Sequence, residues 1–147
     1  MDSEDFSENI QKDKSMTLMK QITSLCKNQP SIIAAYLFGS QAKGTAQQKS
    51  DIDVAILLDD QTGGIFDLLS FIVEAETTTG RQVDIVVLNT ASEVLKYQVR
   101  KHGTLLFDKK PEARKIFEIK SRKYFEDFLY LHKKYTNKVL YGRSSSC

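Results

Sequence analysis

This chain of 147 residues has few of the sequence features that mark disulfide-rich proteins, proteins with cysteine-ligated metals, and membrane or secreted proteins. Only two cysteines are present, Cys26 and Cys147, and their spacing fits neither a disulfide framework nor a metal site. No uninterrupted apolar run approaches the ~20 residues of a membrane-spanning helix. The acidic segment 1–5 lacks the basic and apolar regions of a signal peptide. We therefore expect a reduced, cytoplasmic protein without a membrane segment, in which Cys26 is a small core residue.

The charge is nearly balanced, at +2 overall, but it is unevenly distributed along the chain. Residues 1–95 carry 7 basic and 14 acidic side chains, whereas residues 96–147 carry 14 basic and 5 acidic ones. The acidic part favours a metal site, and the basic part favours a surface for an anionic partner. The simpler interpretation of the basic part is one solvated helix face.

Hydrophobic periodicity and turn residues predict a single domain over residues 15–141, between a disordered segment (1–14) and a flexible tail (142–147). Strands are predicted at residues 31–38, 51–58, 82–88 and 104–107, and helices at 15–28, 65–79, 92–102 and 111–138. This order predicts the α/β (α+β) class. We expect a small mixed β-sheet of about four strands with helices packed on it, a last strand at the sheet edge, and a long C-terminal helix.

Two of the predicted helices carry apolar side chains at helical spacing. In the second helix these are Ile65, Leu68, Leu69, Ile72 and Val73. In the C-terminal helix they are Ile116, Tyr124, Phe128, Leu131 and Tyr135. We interpret the aromatic residues as packing residues, with a partner surface as the alternative. The two histidines, His102 and His132, have no partner at metal-ligand spacing and are expected at the surface.

Two aspartates open the second predicted strand, after a polar loop that follows Gly39-Ser40. Asp51 and Asp53 are separated by one residue, so they share one face of a strand with Cα atoms roughly 6.5–7 Å apart. Two unpaired carboxylates at the mouth of a buried strand repel each other and resist desolvation. A hard divalent cation removes both difficulties, because Mg²⁺ prefers carboxylate, water and phosphate oxygens.

A third aspartate, Asp84, lies inside the apolar third strand, where a lone carboxylate is costly unless it is paired or bound to a metal. If the third strand lies beside the second, Asp84 joins Asp51 and Asp53, and three carboxylates can hold two Mg²⁺ ions for phosphoryl chemistry. Gly39 and Ser40 would let the backbone approach phosphate groups, and Lys43 would meet a phosphate charge one turn later.

These motifs resemble the signature of the DNA polymerase β-like nucleotidyltransferases, and within them the minimal nucleotidyltransferase (MNT) branch. The resemblance covers roughly residues 30–110, from the Gly39-Ser40 pair through the Asp51-x-Asp53 pair and Asp84 to the segment 102–107. It implies the polymerase β-like fold, ATP as substrate and two Mg²⁺ ions. The metal-binding and catalytic role carries over to Asp51, Asp53 and Asp84, and the phosphate-binding role to Gly39 and Ser40. The family often has arginine at the position of Lys43.

Many MNT-domain proteins are antitoxins paired with a HEPN-domain ribonuclease toxin. The resemblance therefore implies a protein adenylyltransferase that moves AMP from ATP to a tyrosine hydroxyl of its toxin, in a hetero-oligomer with it. We expect no additional domain within these 147 residues to hold an acceptor, which also favours a partner protein as acceptor. Two alternatives stay open: a nucleotidyltransferase for a small molecule such as an aminoglycoside, and an antitoxin that acts by binding alone. RNA binding is not expected.

Overall fold

The structure is a computed structural model that describes residues 16–39, 51–60 and 66–141. The strands are β1 (Ile32–Phe38), β2 (Ile52–Leu58), β3 (Val83–Val87) and β4 (Thr104–Asp108). The helices are α1 (described over residues 16–27), α2 (Leu68–Thr79), α3 (Glu93–His102) and α4 (Pro111–Tyr141), with a 3-10 turn at Leu88–Thr90. Each predicted strand and helix is present, with boundaries shifted by up to three residues.

The four strands form one mixed sheet in the order β3-β2-β1-β4. Strand β1 is antiparallel to both β2 and β4, whereas β2 and β3 are parallel. Parallel neighbours require a crossover connection, which α2 provides between β2 and β3. The predicted mixed sheet, the position of the third strand beside the second and the edge position of the last strand are all confirmed.

Helices cover both faces of the sheet, and each face has its own hydrophobic cluster. On one face, α1 and α2 pack against alternate residues of β2, which are Ile52, Val54 and Ile56. On the other face, Val99 of α3 and Phe117 of α4 pack near Ala55 and Leu57 of β2. Cys26 is fully buried in the first cluster, as predicted. The sheet is therefore the middle layer, and β2 contributes to both halves of the core.

The apolar face predicted for α2 is only partly right, because Leu68 and Ile72 are half-buried but the buried face is centred on other residues. Leu69 and Val73 are 76% and 62% exposed, whereas Phe71 and Ala75 are buried. Ile65 lies outside the described residues. Apolar side chains occupy more than half of the helix circumference, so periodicity alone did not identify which side faces the sheet.

The face predicted for α4 is wrong, because Ile116 is exposed and the half-buried Phe117 packs near the sheet instead. Polar contacts hold the first half of this helix. The Tyr36 hydroxyl of β1 donates to Glu118 at 2.6 Å, and the Arg114 guanidinium binds both Asp108 of β4 and Glu118. Burial and the bond to Glu118 raise the pKa of Tyr36, so the hydroxyl remains a donor.

Asn89 connects the end of β2 to the turn after β3. Its side chain accepts a hydrogen bond from the Leu58 backbone N–H and donates one to the Leu58 carbonyl, both at 2.9 Å. Because both backbone groups lose their partner in Asn89→Ala, we expect this change to lower the free energy of unfolding by about 1–3 kcal/mol. Urea denaturation measures the loss. Asn89→Asp cannot donate to the Leu58 carbonyl and would place a negative oxygen against it, so it should cost at least as much as alanine. A loss below about 0.5 kcal/mol in Asn89→Ala would contradict this explanation.

Within the described ranges, no helix combines the length and apolar character needed to cross a membrane. The segments predicted to be disordered (1–14) and to form a flexible tail (142–147) lie outside those ranges. The division of the chain into one domain at 15–141 stays a prediction.

Candidate active site

The structure places the three predicted aspartates at the same end of β2 and β3. Asp53 and Asp84 are direct partners in the register of the parallel pair, and Asp51 immediately precedes β2. Neighbouring strands are about 4.8 Å apart, so these residues are adjacent. Successive side chains of a strand point to opposite faces, and Val54 points to the face covered by α1 and α2. The side chain of Asp53 therefore lies on the other face, which α3 and α4 cover.

Mutual repulsion is visible in the electrostatics of the central carboxylate. Partial burial, followed by the negative charges of Asp84 and Asp51, raises the pKa of Asp53 above its usual value. Asp51 and Asp84 are exposed to solvent. Asp53 is therefore held in a position where its negative charge is unfavourable in the absence of a cation.

Gly39 ends β1 directly beside Asp53. Its φ of +75° lies in the left-handed region that glycine adopts without strain. A Cβ atom at this position would overlap with the carboxylate oxygen Oδ2 of Asp53. Only glycine therefore allows both this turn and the close approach of the backbone to the carboxylate.

A groove of about 600 Å³ opens beside Gly39 on the same side of the sheet. The end of β1, one face of α3 and the middle of α4 form its walls, which include Phe38, Tyr97, Gln98, His102 and Phe128. The rings of Tyr97 and Phe125 stack with centroids 4.2 Å apart, which joins α3 to α4 under the groove. The lining is largely apolar and aromatic, as is typical of ligand-binding clefts.

The sequence analysis missed the contribution of α3 to this groove. Val94, Tyr97, Gln98 and His102 recur at helical spacing, but only the packing of α3 on the sheet shows that this face turns toward the carboxylates. His102 and His132 are exposed, as expected, although His102 lines the groove. Ser40 and Lys43, the other predicted phosphate-binding residues, lie outside the described residues.

Comparison with known proteins identifies the family. Residues 20–112 match the polymerase beta nucleotidyltransferases. The chain belongs to the polymerase beta nucleotidyltransferase family. This nucleotidyltransferase is also 35% identical, over 104 residues, to the protein adenylyltransferase MntA of Shewanella oneidensis. That match covers 69% of this chain and 72% of MntA, and it confirms the resemblance to MNT antitoxins.

Solved structures agree with this assignment. A toxin–antitoxin crystal structure with AMP-PNP matches with a TM-score of 0.69 and 27% identity, over 83% of this nucleotidyltransferase and 98% of the matched chain. A chain from the complex of a tri-AMPylated Shewanella oneidensis HEPN toxin with an MNT antitoxin matches with a TM-score of 0.66. That match has 24% identity, covers 86% of this chain and 98% of the other, and concerns the fold alone. The polymerase β-like fold predicted from the sequence is confirmed.

The carboxylates fit the hard divalent cation that the family chemistry implies. Their oxygens are the donor type that Mg²⁺ prefers, and a cation would offset both the burial and the repulsion that raise the pKa of Asp53. Among the described residues, there is no group of three or more His, Cys, Asp or Glu side chains close enough to hold a metal ion by themselves. Part of the coordination would therefore come from the nucleotide phosphates and water, as is usual for Mg²⁺.

Proposed function

We propose that this nucleotidyltransferase transfers AMP from ATP to a tyrosine hydroxyl of a HEPN-domain ribonuclease toxin and thereby neutralises it. The observation that carries the proposal is that Asp53, which lies against Gly39, is the direct neighbour of Asp84 on the next strand, in a member of the nucleotidyltransferase family. The kinship with MntA, a protein adenylyltransferase, supports a protein as acceptor. The toxin–antitoxin structure with AMP-PNP supports a toxin as partner and an adenine nucleotide as substrate.

Each candidate residue has a role in the proposed reaction. Gly39 brings the backbone close to the triphosphate, and we assign Ser40 and Lys43 to phosphate binding with it. Asp51 and Asp53 would hold Mg²⁺, and Asp84 would share a second ion. When bound, the cations would offset the phosphate charge and lower the pKa of the acceptor hydroxyl.

The chemical step is an in-line substitution at the α-phosphorus. The tyrosine oxygen forms the new bond, and the bond between the α-phosphorus and the bridging oxygen breaks. Pyrophosphate leaves. Asp84 lies on β3 and Gly39 follows β1, so they are on opposite sides of β2. We therefore assign Asp84, on the side away from the phosphate-binding glycine, to accept the hydroxyl proton.

A transfer assay with position-specific labels tests the proposal. The chain is incubated with Mg²⁺, ATP and a HEPN-domain ribonuclease toxin. Label from the α-phosphate should appear on the toxin and label from the γ-phosphate should not, because a kinase would give the reverse result. Peptide mass spectrometry should locate the adenylate on tyrosine, and the modified toxin should lose its ribonuclease activity.

The same assay separates the alternatives. Transfer to an aminoglycoside without transfer to the toxin would establish the small-molecule enzyme. Inhibition of the ribonuclease without ATP, and without label on the toxin, would establish an antitoxin that acts by binding alone. Either result would overturn the proposal.

A further inference from the structure

The second half of α4 lacks the packing that covers the first half. The helix has 31 residues and is therefore about 46 Å long, whereas α3 beneath it has 10 residues and spans about 15 Å. Phe117, Ser121 and Phe125 face the sheet or α3. From residue 126 to residue 139, every side chain except Thr136 is exposed.

The exposed part carries a continuous row of large apolar side chains. This distal stripe consists of Tyr124, Phe128, Leu131, Tyr135 and Val139, which are between 40% and 68% exposed. Their spacing of i, i+4, i+7, i+11 and i+15 places them along one face of the helix. A continuous apolar row on a surface marks an interaction site, whereas single exposed apolar residues do not.

The distal stripe begins at the candidate active site. Phe128 belongs to the stripe and also lines the groove that opens at Gly39. Its ring lies 6.3 Å from that of Phe125, which stacks on Tyr97 of α3. A molecule bound along the stripe would therefore reach the groove beside the Asp53 carboxylate.

The surroundings of the stripe indicate its occupant. Asp127, Lys134 and Lys138 flank the stripe within about 100° around the helix, so its rim carries charges of both signs. An apolar centre with a polar rim is typical of protein–protein interfaces. Because the stripe continues into the groove beside Gly39, its occupant is expected to bring a reacting group there, as an acceptor protein would.

We propose that the distal stripe docks the acceptor protein through an apolar patch, and that docking there directs the acceptor hydroxyl into the groove beside Gly39. The inference rests on the proposed function, because it takes the acceptor of AMP as the occupant. The distal stripe would be the surface that selects this acceptor and leads its hydroxyl to the carboxylates. Tyr135 lies near the middle of the exposed stripe and is the expected centre of the binding energy.

Two tyrosines of α4 provide a matched pair of variants. Tyr135 lies on the stripe and is 68% exposed, whereas Tyr130 is 66% exposed and points about 140° away around the helix. Tyr135→Gln should weaken binding to the HEPN-domain protein at least about tenfold, and Tyr130→Gln should change it less than about twofold. Calorimetry without ATP measures both affinities, and circular dichroism checks that both variants keep their helix content.

Kinetics separate this inference from the proposed function. Tyr135→Gln should raise KM for the acceptor about as much as it weakens binding, with unchanged kcat at saturating acceptor and unchanged ATP affinity. Asp53→Asn should keep the acceptor affinity and lose transfer. Normal transfer by Asp53→Asn would defeat the proposed function, while the docking result would stand on the binding data.

Four outcomes would overturn the docking proposal. The first two are equal affinities of the two tyrosine variants for the acceptor, and no binding of the acceptor to the unaltered chain. The third is a homodimer that Tyr135→Gln dissociates. The fourth is binding of a single-stranded RNA that Tyr135→Gln abolishes while acceptor affinity is retained. Light scattering tests the dimer. Titration with a fluorescent 20-nucleotide RNA tests the nucleic acid across a salt series, because nucleic-acid binding weakens steeply with salt.

Discussion

Asp53→Asn should abolish AMP transfer and at the same time stabilise the metal-free protein against heat. The amide keeps the shape of the side chain but removes the charge that would hold Mg²⁺, so we expect transfer to fall at least ~10²–10³-fold. The same charge is disfavoured in the folded state by partial burial and then by repulsion from Asp84 and Asp51, so removing it should raise Tm without metal. Labelled-ATP transfer and differential scanning calorimetry measure the two effects.

The pH dependence gives this prediction a definite sign. Because the pKa of Asp53 is raised by folding, its ionisation destabilises the folded state. The Tm gain of Asp53→Asn should therefore be absent below the ordinary aspartate pKa of about 3.9 and should appear as the pH rises above it. Added Mg²⁺ should raise the Tm of the unaltered protein and have little effect on the variant.

Asp60→Asn is the matched control, because Asp60 is an exposed aspartate just beyond the opposite end of β2. It should change neither transfer nor the response of Tm to Mg²⁺. Loss of folding in Asp53→Asn would make Asp53 a structural residue. Near-normal transfer by that variant would remove Asp53 from the catalytic set.

Gly39→Ala should inactivate the enzyme, whereas Gly80→Ala should not. Both glycines have positive φ, +75° and +67°, so alanine should cost about 1–2 kcal/mol of folding stability at each position. They differ in what the new Cβ atom would meet. At Gly39 it would overlap with the Asp53 carboxylate, whereas at Gly80 it would meet nothing within 4 Å. Displacing that carboxylate should lower transfer about 10²-fold.

Urea denaturation and the transfer assay test the two glycine variants together. Equal loss of transfer in both would show that general destabilisation, rather than the displaced carboxylate, reduces the rate. Full transfer by Gly39→Ala would show that the backbone and the carboxylate separate at little cost, and would contradict the assigned role of Gly39.

Elements with a distinctive local pattern were predicted well from the sequence. Strand β1 is a nearly continuous apolar run, and six of its seven residues are buried as expected for a strand covered on both sides. Ser92 caps α3 by accepting a hydrogen bond from the Leu95 N–H, and Gly103 ends this helix. These signals act within a few residues, so neighbouring parts of the chain do not alter them.

The side of each amphipathic helix that faces the sheet could not be predicted in the same way. In α2 the apolar residues cover more than half of the circumference, and the sheet selected the side of Phe71 and Ala75. In α4 the aromatic residues assigned to packing include Tyr124 and Tyr135, which are exposed. Nothing local to α4 indicates where the sheet beneath it ends, because that length depends on the other strands and helices.

The sequence by itself determined that Asp51 and Asp53 share one face, because the two-residue period of a strand holds wherever the strand lies. It also determined the family, through Gly39 and the spacing to these aspartates. Only the tertiary structure decided that Asp84 lies directly beside Asp53, since this depends on a parallel pairing of strands 31 residues apart. It also decided that the Asp53 carboxylate fills the space that a Cβ atom at position 39 would need, and that residues 126–139 of α4 are largely exposed, because contacts between distant segments exist only once the sheet has formed.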